Sequence, residues 1–232
     1  MTTYRARLAA VALALLVPLA LTSCGSSKEK AAPSPAEALK TAKKHFDDAA
    51  AIELDLSTKE KPTSGNAVLG AEGTLTHQPA FKGSVKVVFS GLTADIPVVS
   101  ADGKVHAKLP LTPSYSEIDP SDYGAPDPAA FADPDKGISG LLLQMNDVKR
   151  GKKVRDGDDV LTSYTGTLDG ALVKPIIPSA DASGSYDAVV GIDEDGEMAT
   201  LTVTGDFFAH DGPVTYDLTF DYDDDAVTIT AP

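Results

Sequence analysis

Between Ile52 and Leu109, apolar residues recur at every second position, and this alternation restricts the chain to strands with one buried and one wet face. Ile52, Leu54 and Leu56 alternate with Glu53, Asp55 and Ser57. Residues 68–76 read as a second strand after a loop at Gly65 and Asn66, and His77-Gln78-Pro79 then turns the chain. In 81–90, Val85, Val87 and Phe89 oppose Ser84, Lys86 and Val88; in 92–100, Ala94, Ile96 and Val98 share a side. Asp102-Gly103 is a hairpin signal leading into Val105, Ala107 and Leu109, which alternate with Lys104, His106 and Lys108. The first half is therefore expected to be an antiparallel meander of about five strands.

The period then changes. Residues 111–131, rich in Pro, Asp and Ser, are expected to wander until short helical turns begin near Pro128. Within 137–145, Ile138, Leu141, Leu142 and Met145 recur at helical spacing and predict a short amphipathic helix, which Gly140 weakens. Residues 148–154 and 160–168 read as a hairpin around Asp156-Gly157, and 170–177 as another short helix before Pro178. Strands are expected at 185–192, 198–207, 214–221 and 226–230, with Asp195-Gly196 joining the first pair and residues 222–225 turning the last. Two strand-rich runs around a helical block predict an α+β fold: one strongly curved antiparallel β-sheet with α-helices packed on the concave face. Such an arrangement leaves room between its layers.

Upstream, Ser34-Pro35-Ala36-Glu37 combines a capping serine, a proline at the first helical position and a glutamate at the third, so a helix is expected to begin here and end near Ala50. Leu39, Ala42, Phe46 and Ala49 form its inward face, with Lys40, Lys43, Lys44 and Asp47 in water. Before it, residues 24–33 have little to bury and read as a flexible tether. Residues 1–23 have the form of a secretory signal: Arg5 and Arg7, then an apolar stretch from Leu8 to Leu21 that falls short of the roughly 20 residues of a spanning helix. That stretch runs into Leu21-Thr22-Ser23-Cys24, and Cys24 is the only cysteine of the chain. The pattern resembles the bacterial lipoprotein signal, in which small residues flank the cut site and the cysteine thiol accepts a diacylglyceryl group. The plainer alternative is an ordinary signal followed by an incidental cysteine. Two acyl chains anchor far more firmly than one, at about 0.8 kcal/mol per buried methylene.

The formal net charge of −14 deepens once Arg5 and Arg7 are removed, and a surface of that sign repels nucleic acid. It would also be held off anionic lipid, so membrane contact is expected to come through Cys24. Without disulfides, packing alone must stabilise the remaining residues 34–232, which suit a single domain.

Catalytic chemistry finds no foothold in these residues. There is no Gly-x-Ser-x-Gly elbow and no phosphate-cradling Gly-Lys-Ser/Thr loop. His45, His77, His106 and His210 are scattered over separate elements without ligand spacing. Asp221, Asp223, Asp224 and Asp225 could hold calcium, but a solvated turn is the plainer account, as it is for residues 193–196. No metal, cofactor or enzymatic activity is expected. Lys149, Arg150, Lys152, Lys153 and Arg155 stand out in so acidic a chain and could meet the phosphate or carboxylate of a ligand headgroup. An exposed strand whose charges discourage edge pairing is the plainer account.

Several segments together resemble the LppX/LprG/LprA/LprF type of actinobacterial lipoprotein. They are the Cys24 lipobox, the helix from Pro35, the run from Gly73 to Val87, the run from Asp133 to Leu142, the basic segment from Asp147 to Arg155, and the closing run from Val227 to Pro232. The resemblance covers essentially all of 34–232 and rests on collinear pattern, since none of these motifs is catalytic. It implies a half-barrel with helices over its mouth, enclosing a hydrophobic cavity for acyl chains of cell-envelope lipids or glycolipids. Strand parity then assigns Val85, Val87, Phe89, Ala94, Ile96, Val98, Val105, Ala107 and Leu109 to the cavity, with Ile138, Leu141, Leu142 and Met145 covering it. The expected protein is lipid-anchored on the extracytoplasmic face of the cell membrane, with a membrane transporter as a further partner. The competing expectation is an anchored protein-interaction module with a solid core and no cargo.

Overall fold

The computed structural model describes residues 32–157, 159–208 and 212–232. The signal segment, Cys24, most of the tether and His210 lie outside the described residues. Helix α1 (Pro35–Asp48) starts as its capping box requires: Ser34 Oγ accepts from the Glu37 amide at 3.3 Å, and the Glu37 carboxylate accepts from the Ser34 amide at 2.9 Å. Its buried face is Ala38, Leu39, Ala42 and Phe46. Phe46 meets Phe220 and His77 edge-on, with ring centroids 5.5 and 5.9 Å apart. Lys43 and Asp47 depart from the wet face expected of them. They are half-buried, because Ser139 and the Pro134 carbonyl hydrogen-bond to them from a later segment.

Eleven strands form one antiparallel sheet. The first six are β1 (Ala51–Thr58), β2 (Ala67–Thr76), β3 (Ala80–Phe89), β4 (Leu92–Ala101), β5 (Lys104–Ala107) and β6 (Ser116–Ile118). The last five are β7 (Asn146–Asp156), β8 (Asp159–Asp169), β9 (Ser185–Ile192), β10 (Met198–Gly205) and β11 (Val214–Asp223). Each run is a meander of neighbouring hairpins, and β1 joins them by pairing with both β2 and β11. Leu54 stands opposite Phe220 on one side and Gly73 on the other. The edges of the sheet are therefore β6 and β7.

This order explains one correction. The strand expected at 226–230, as hairpin partner of β11, does not form, because β1 and β10 already occupy both sides of β11. The short β6 lies inside the segment expected to wander.

Gly73 and Gly83 face each other across β2 and β3. A Cβ at Gly83 would stand 2.0 Å from the Glu72 carbonyl oxygen, and one at Gly73 would stand 2.6 Å from Gly83 Cα. Glycine is the residue that lets the two backbones approach so closely. A register shift between Val68 and Gly70 adds a bulge to the same pair of strands.

Helices α1, α2 (Ile138–Leu142) and α3 (Gly170–Val173) cover the apolar side, and one continuous core runs from Ala38 to Phe220. All of it lies within the unit Pro33–Pro232. Gly140 has its own reason in α2: a Cβ there would stand 2.4 Å from the Asp135 carbonyl oxygen. Under the far half of the sheet, Phe207 packs between Tyr186 and Tyr216 with centroids 4.8 and 4.7 Å away. Burial raises the Tyr216 phenol far above its ordinary range, and its hydroxyl donates to the Val68 carbonyl.

Candidate functional site

The register of β3, β4 and β5 sets apolar side chains on one face. Val85 stands opposite Ile96, Val87 opposite Ala94, and Val98 opposite Ala107. Cross-strand partners point to the same side of a sheet, so these residues, with Phe89, Val105 and Leu109, make one wall of a pocket. All nine positions assigned by parity line this single cavity of about 190 Å³, eight of them on β3–β5 and Leu109 just past the end of β5. Val85, Ile96, Val98, Val105 and Ala107 are buried at its inner end, while Phe89 is partly open and Leu92 is 76% exposed at the mouth.

The rest of the lining comes from the proline-rich segment 109–128: Ile118 of β6 extends the sheet wall beside Val105, and Pro110, Pro120, Tyr123, Ala125, Pro126 and Pro128 lie outside the sheet. Short-range contacts hold this strap in place. Ile118 pairs with Val105 in the β5–β6 ladder. Asp119 caps a 3-10 turn at Pro120–Tyr123 by accepting from the Ser121 amide at 2.9 Å; the Ser121 hydroxyl, which donates to the same oxygen at 2.7 Å, and then that amide keep the Asp119 carboxyl below its usual range. Asp127 accepts from the Ala129 amide at 2.9 Å and from the hydroxyl of Ser100, a buried residue of β4, at 2.6 Å. Tyr123 meets Phe89 across the mouth at 5.5 Å.

Parity alone does not reveal the strap, since a proline-rich run has no period to read. Leu92 was within reach, because it lies one step before Ala94 on the same face. Ile138, Leu141, Leu142 and Met145 do not line this pocket: they are buried in the core beside α1, with Met145 against Gly166 of β8. Lys149, Arg150, Lys152 and Lys153 are exposed on β7, at the other edge of the strand order from β5 and β6, and do not line it either. Nearly every residue of β7 is exposed and its ladder with β8 is twice shifted in register, a pattern that blunts an edge against further pairing.

The lining contains no charged residue, and its one hydroxyl is that of Tyr123. Such a wall is suited to excluding water from an apolar guest. An apolar cavity of about 150 Å³ takes a benzene-sized molecule, whereas drug-sized ligands occupy about 300–1,000 Å³. The pocket as it stands thus accommodates the end of one hydrocarbon chain. Among the described residues, no group of acidic, histidine or cysteine side chains is arranged to hold a metal.

The family described as LppX_LprAFG lipoprotein matches residues 34–229. The chain is 27% identical to the lipoarabinomannan carrier protein LprG of Mycolicibacterium hassiacum, over 97% of its own length and 98% of that protein. To LprG of Mycobacterium tuberculosis it is 31% identical over 54% of this chain and 52% of that one. The crystal structure of LprF from Mycobacterium bovis superposes with a TM-score of 0.72 at 16% identity, covering 87% of this chain and 98% of LprF. That of LppX from Mycobacterium tuberculosis gives 0.61 at 16% identity, covering 84% and 98%. At that identity these structures speak for the fold.

Proposed function

Because the chain belongs to the LppX_LprAFG lipoprotein family, we propose that its pocket receives an acyl chain of a cell-envelope lipid or glycolipid and that the protein carries this cargo across the envelope. The observation that carries the reading is the uncharged pocket between β3–β5 and the 109–128 strap. Cys24 would hold the carrier on the extracytoplasmic face of its membrane through a diacylglyceryl group, with residues 24–33 as tether. A chain leaving a bilayer for an apolar slot trades one apolar environment for another, since the roughly 0.8 kcal/mol per methylene is gained in both. Loading is then close to thermoneutral, and direction comes from concentration or from a partner such as a membrane transporter. A cargo chain longer than the pocket requires the strap to yield. It is held by a 3-10 turn and a three-residue ladder. No chemical step is needed.

The test uses residues 33–232, a fragment that keeps every core residue among the described residues, purified from an actinobacterial host. Organic extraction and mass spectrometry should recover acyl lipid in proportion to protein, and the emptied protein should take up a fluorescent fatty acid. Absence of both would overturn the carrier reading in favour of an anchored interaction module with no cargo.

A further inference from the structure

The charged residues next to the pocket lining fall into two sets. Those on the strands alternate with lining residues and therefore stand on the far face of the sheet. Lys86, between Val85 and Val87, faces Asp95 across the ladder, with Nζ 3.6 Å from Oδ1. Lys104, next to Val105, is bonded to Glu117, next to Ile118, at 2.8 Å. Lys108 follows Ala107 in the same parity, and its amide donates to the Pro97 carbonyl midway along β4. Lys61 donates to the hydroxyl of Thr93, which precedes the lining residue Ala94 and so points away from the pocket too. The register keeps these cations off the pocket side.

The second set lies on the strap and is acidic throughout. Asp119 precedes Pro120, Asp122 precedes Tyr123, and Asp127 stands between Pro126 and Pro128, all of these neighbours being lining residues. Asp119 and Asp122 are exposed and flank the mouth, where Tyr123 meets Phe89 and Gly124 sits beside Asn66. Neither is ion-paired to a cation among the described residues. Asp127 is half-buried at the inner end, bonded to the Ser100 hydroxyl opposite Val105. Three carboxylates thus border an apolar slot whose neighbouring cations are on the other side of the sheet. Low-dielectric walls focus a field of one sign on the opening, and a ligand group of the same sign is repelled there.

We propose that Asp119 and Asp122 make the mouth a charge filter: among lipids of equal chain length it admits those with an uncharged headgroup and disfavours those whose headgroup is a carboxylate or phosphate. The apolar slot takes the chain, and a polar headgroup stays in water at the mouth, within the field of the two acids. The Tyr123 hydroxyl of the lining suits hydrogen bonding to an uncharged, hydroxylated headgroup. The inference rests on the carrier reading and narrows its cargo.

The emptied fragment 33–232 is to be titrated, at neutral pH and low ionic strength, with two probes of the same chain and fluorophore, a fatty acid and the corresponding fatty alcohol. The alcohol should bind about fivefold more tightly, and concentrated salt should bring the ratio toward one, because exposed acids are screened. Asp119→Asn keeps an oxygen to accept from the Ser121 amide, and combined with Asp122→Asn it removes both charges from the mouth. The double variant should bind the fatty acid about fivefold more tightly than the unaltered fragment does, and either single variant should close part of the gap. A preference arising only from the weaker hydration of the alcohol would survive both salt and substitution. A ratio that does so, or equal affinities in the unaltered fragment, overturns the filter and leaves the carrier reading standing. Uptake of neither probe, with no acyl lipid extracted from the protein, overturns the carrier reading and the filter with it.

Discussion

Ser139 of α2 donates its hydroxyl to the Asp47 carboxylate of α1 at 2.6 Å, across 92 residues of sequence. The other oxygen of Asp47 accepts from Lys43 at 2.7 Å, and Lys43 also reaches the Pro134 carbonyl and the Ser139 hydroxyl. With side chains only 16% and 24% exposed, Lys43 and Asp47 form a half-buried pair, and these hydrogen bonds offset its lost hydration. The network joins the first helix to the turn that launches the second.

Removing the Ser139 hydroxyl leaves Asp47 its lysine but takes one charge-assisted hydrogen bond from a buried position. Ser139→Ala should cost about 1–2 kcal/mol, and Lys43→Ala more, since Asp47 then loses its cation. Urea unfolding midpoints measure both. A neutral Ser139→Ala would mean that the network orients α2 without stabilising it.

Gly83 is the more severe position. A Cβ there would stand 2.0 Å from the Glu72 carbonyl oxygen and 2.8 Å from Gly73 Cα. The obstacles are backbone atoms, which cannot rotate aside. Gly83→Ala should cost about 3 kcal/mol by overpacking, lowering the urea midpoint while the slope stays constant. Gly91→Ala is the contrast: it lies in an open turn with nothing within 4 Å, and only its positive φ of 80° resists the substitution.

These positions mark what could be read from the residues and what could not. Alternation through 81–109 set the parity of β3, β4 and β5, and parity is enough to decide which residues share the pocket wall because hairpins keep cross-strand partners on one face. The pairing of β1 with β11 spans nearly the whole domain and leaves no local trace, so the free place assigned to a strand at 226–230 was already taken. Lys43 and Asp47 carry the marks of a wet helix face, and only the tertiary arrival of Ser139 and Pro134 draws them inward. The 109–128 strap has prolines in place of a period, and its role emerges only once β5 and β6 pair.

Acid should destabilise the domain in a defined direction. The amides of Lys136 and Asp135, each 2.9 Å from Asp133 Oδ1, hold the Asp133 carboxyl below its usual range. Hydrogen bonds from Ser34 do the same for Glu37, and those from Ser183 for Asp181. Each folded value lies below the unfolded one, about 4 for such carboxyls. On acidification the unfolded chain therefore binds protons first. The contribution of these groups is complete above the unfolded value and is lost as pH falls through the folded values. Urea midpoints should be level down to about pH 5 and then drop. Asp133→Asn keeps the acceptor oxygen without the titration and should make that drop shallower. An unchanged slope in the variant would show that Asp133 does not contribute to it.

The pocket is tested most directly at Val87, which faces Ala94 across the ladder and is only half-buried. Val87→Trp places an indole in a cavity of about 190 Å³, leaving no room for a hydrocarbon chain beside it. Fatty-acid affinity should fall at least about tenfold, a change of about 1.4 kcal/mol in binding free energy. The cost to folding should stay under about 1 kcal/mol, because the ring fills empty space and can lean toward the open mouth at Phe89 and Leu92, whereas overpacking a filled core costs about 1–3 kcal/mol. Fluorescence titration and the urea midpoint, measured on the same preparation, separate the two effects. A folded Val87→Trp protein that takes up fatty acid normally would remove the β3–β5 wall from the binding site. The alternative space would then lie under α2, among Ile138, Leu141 and Leu142, where the core is now filled.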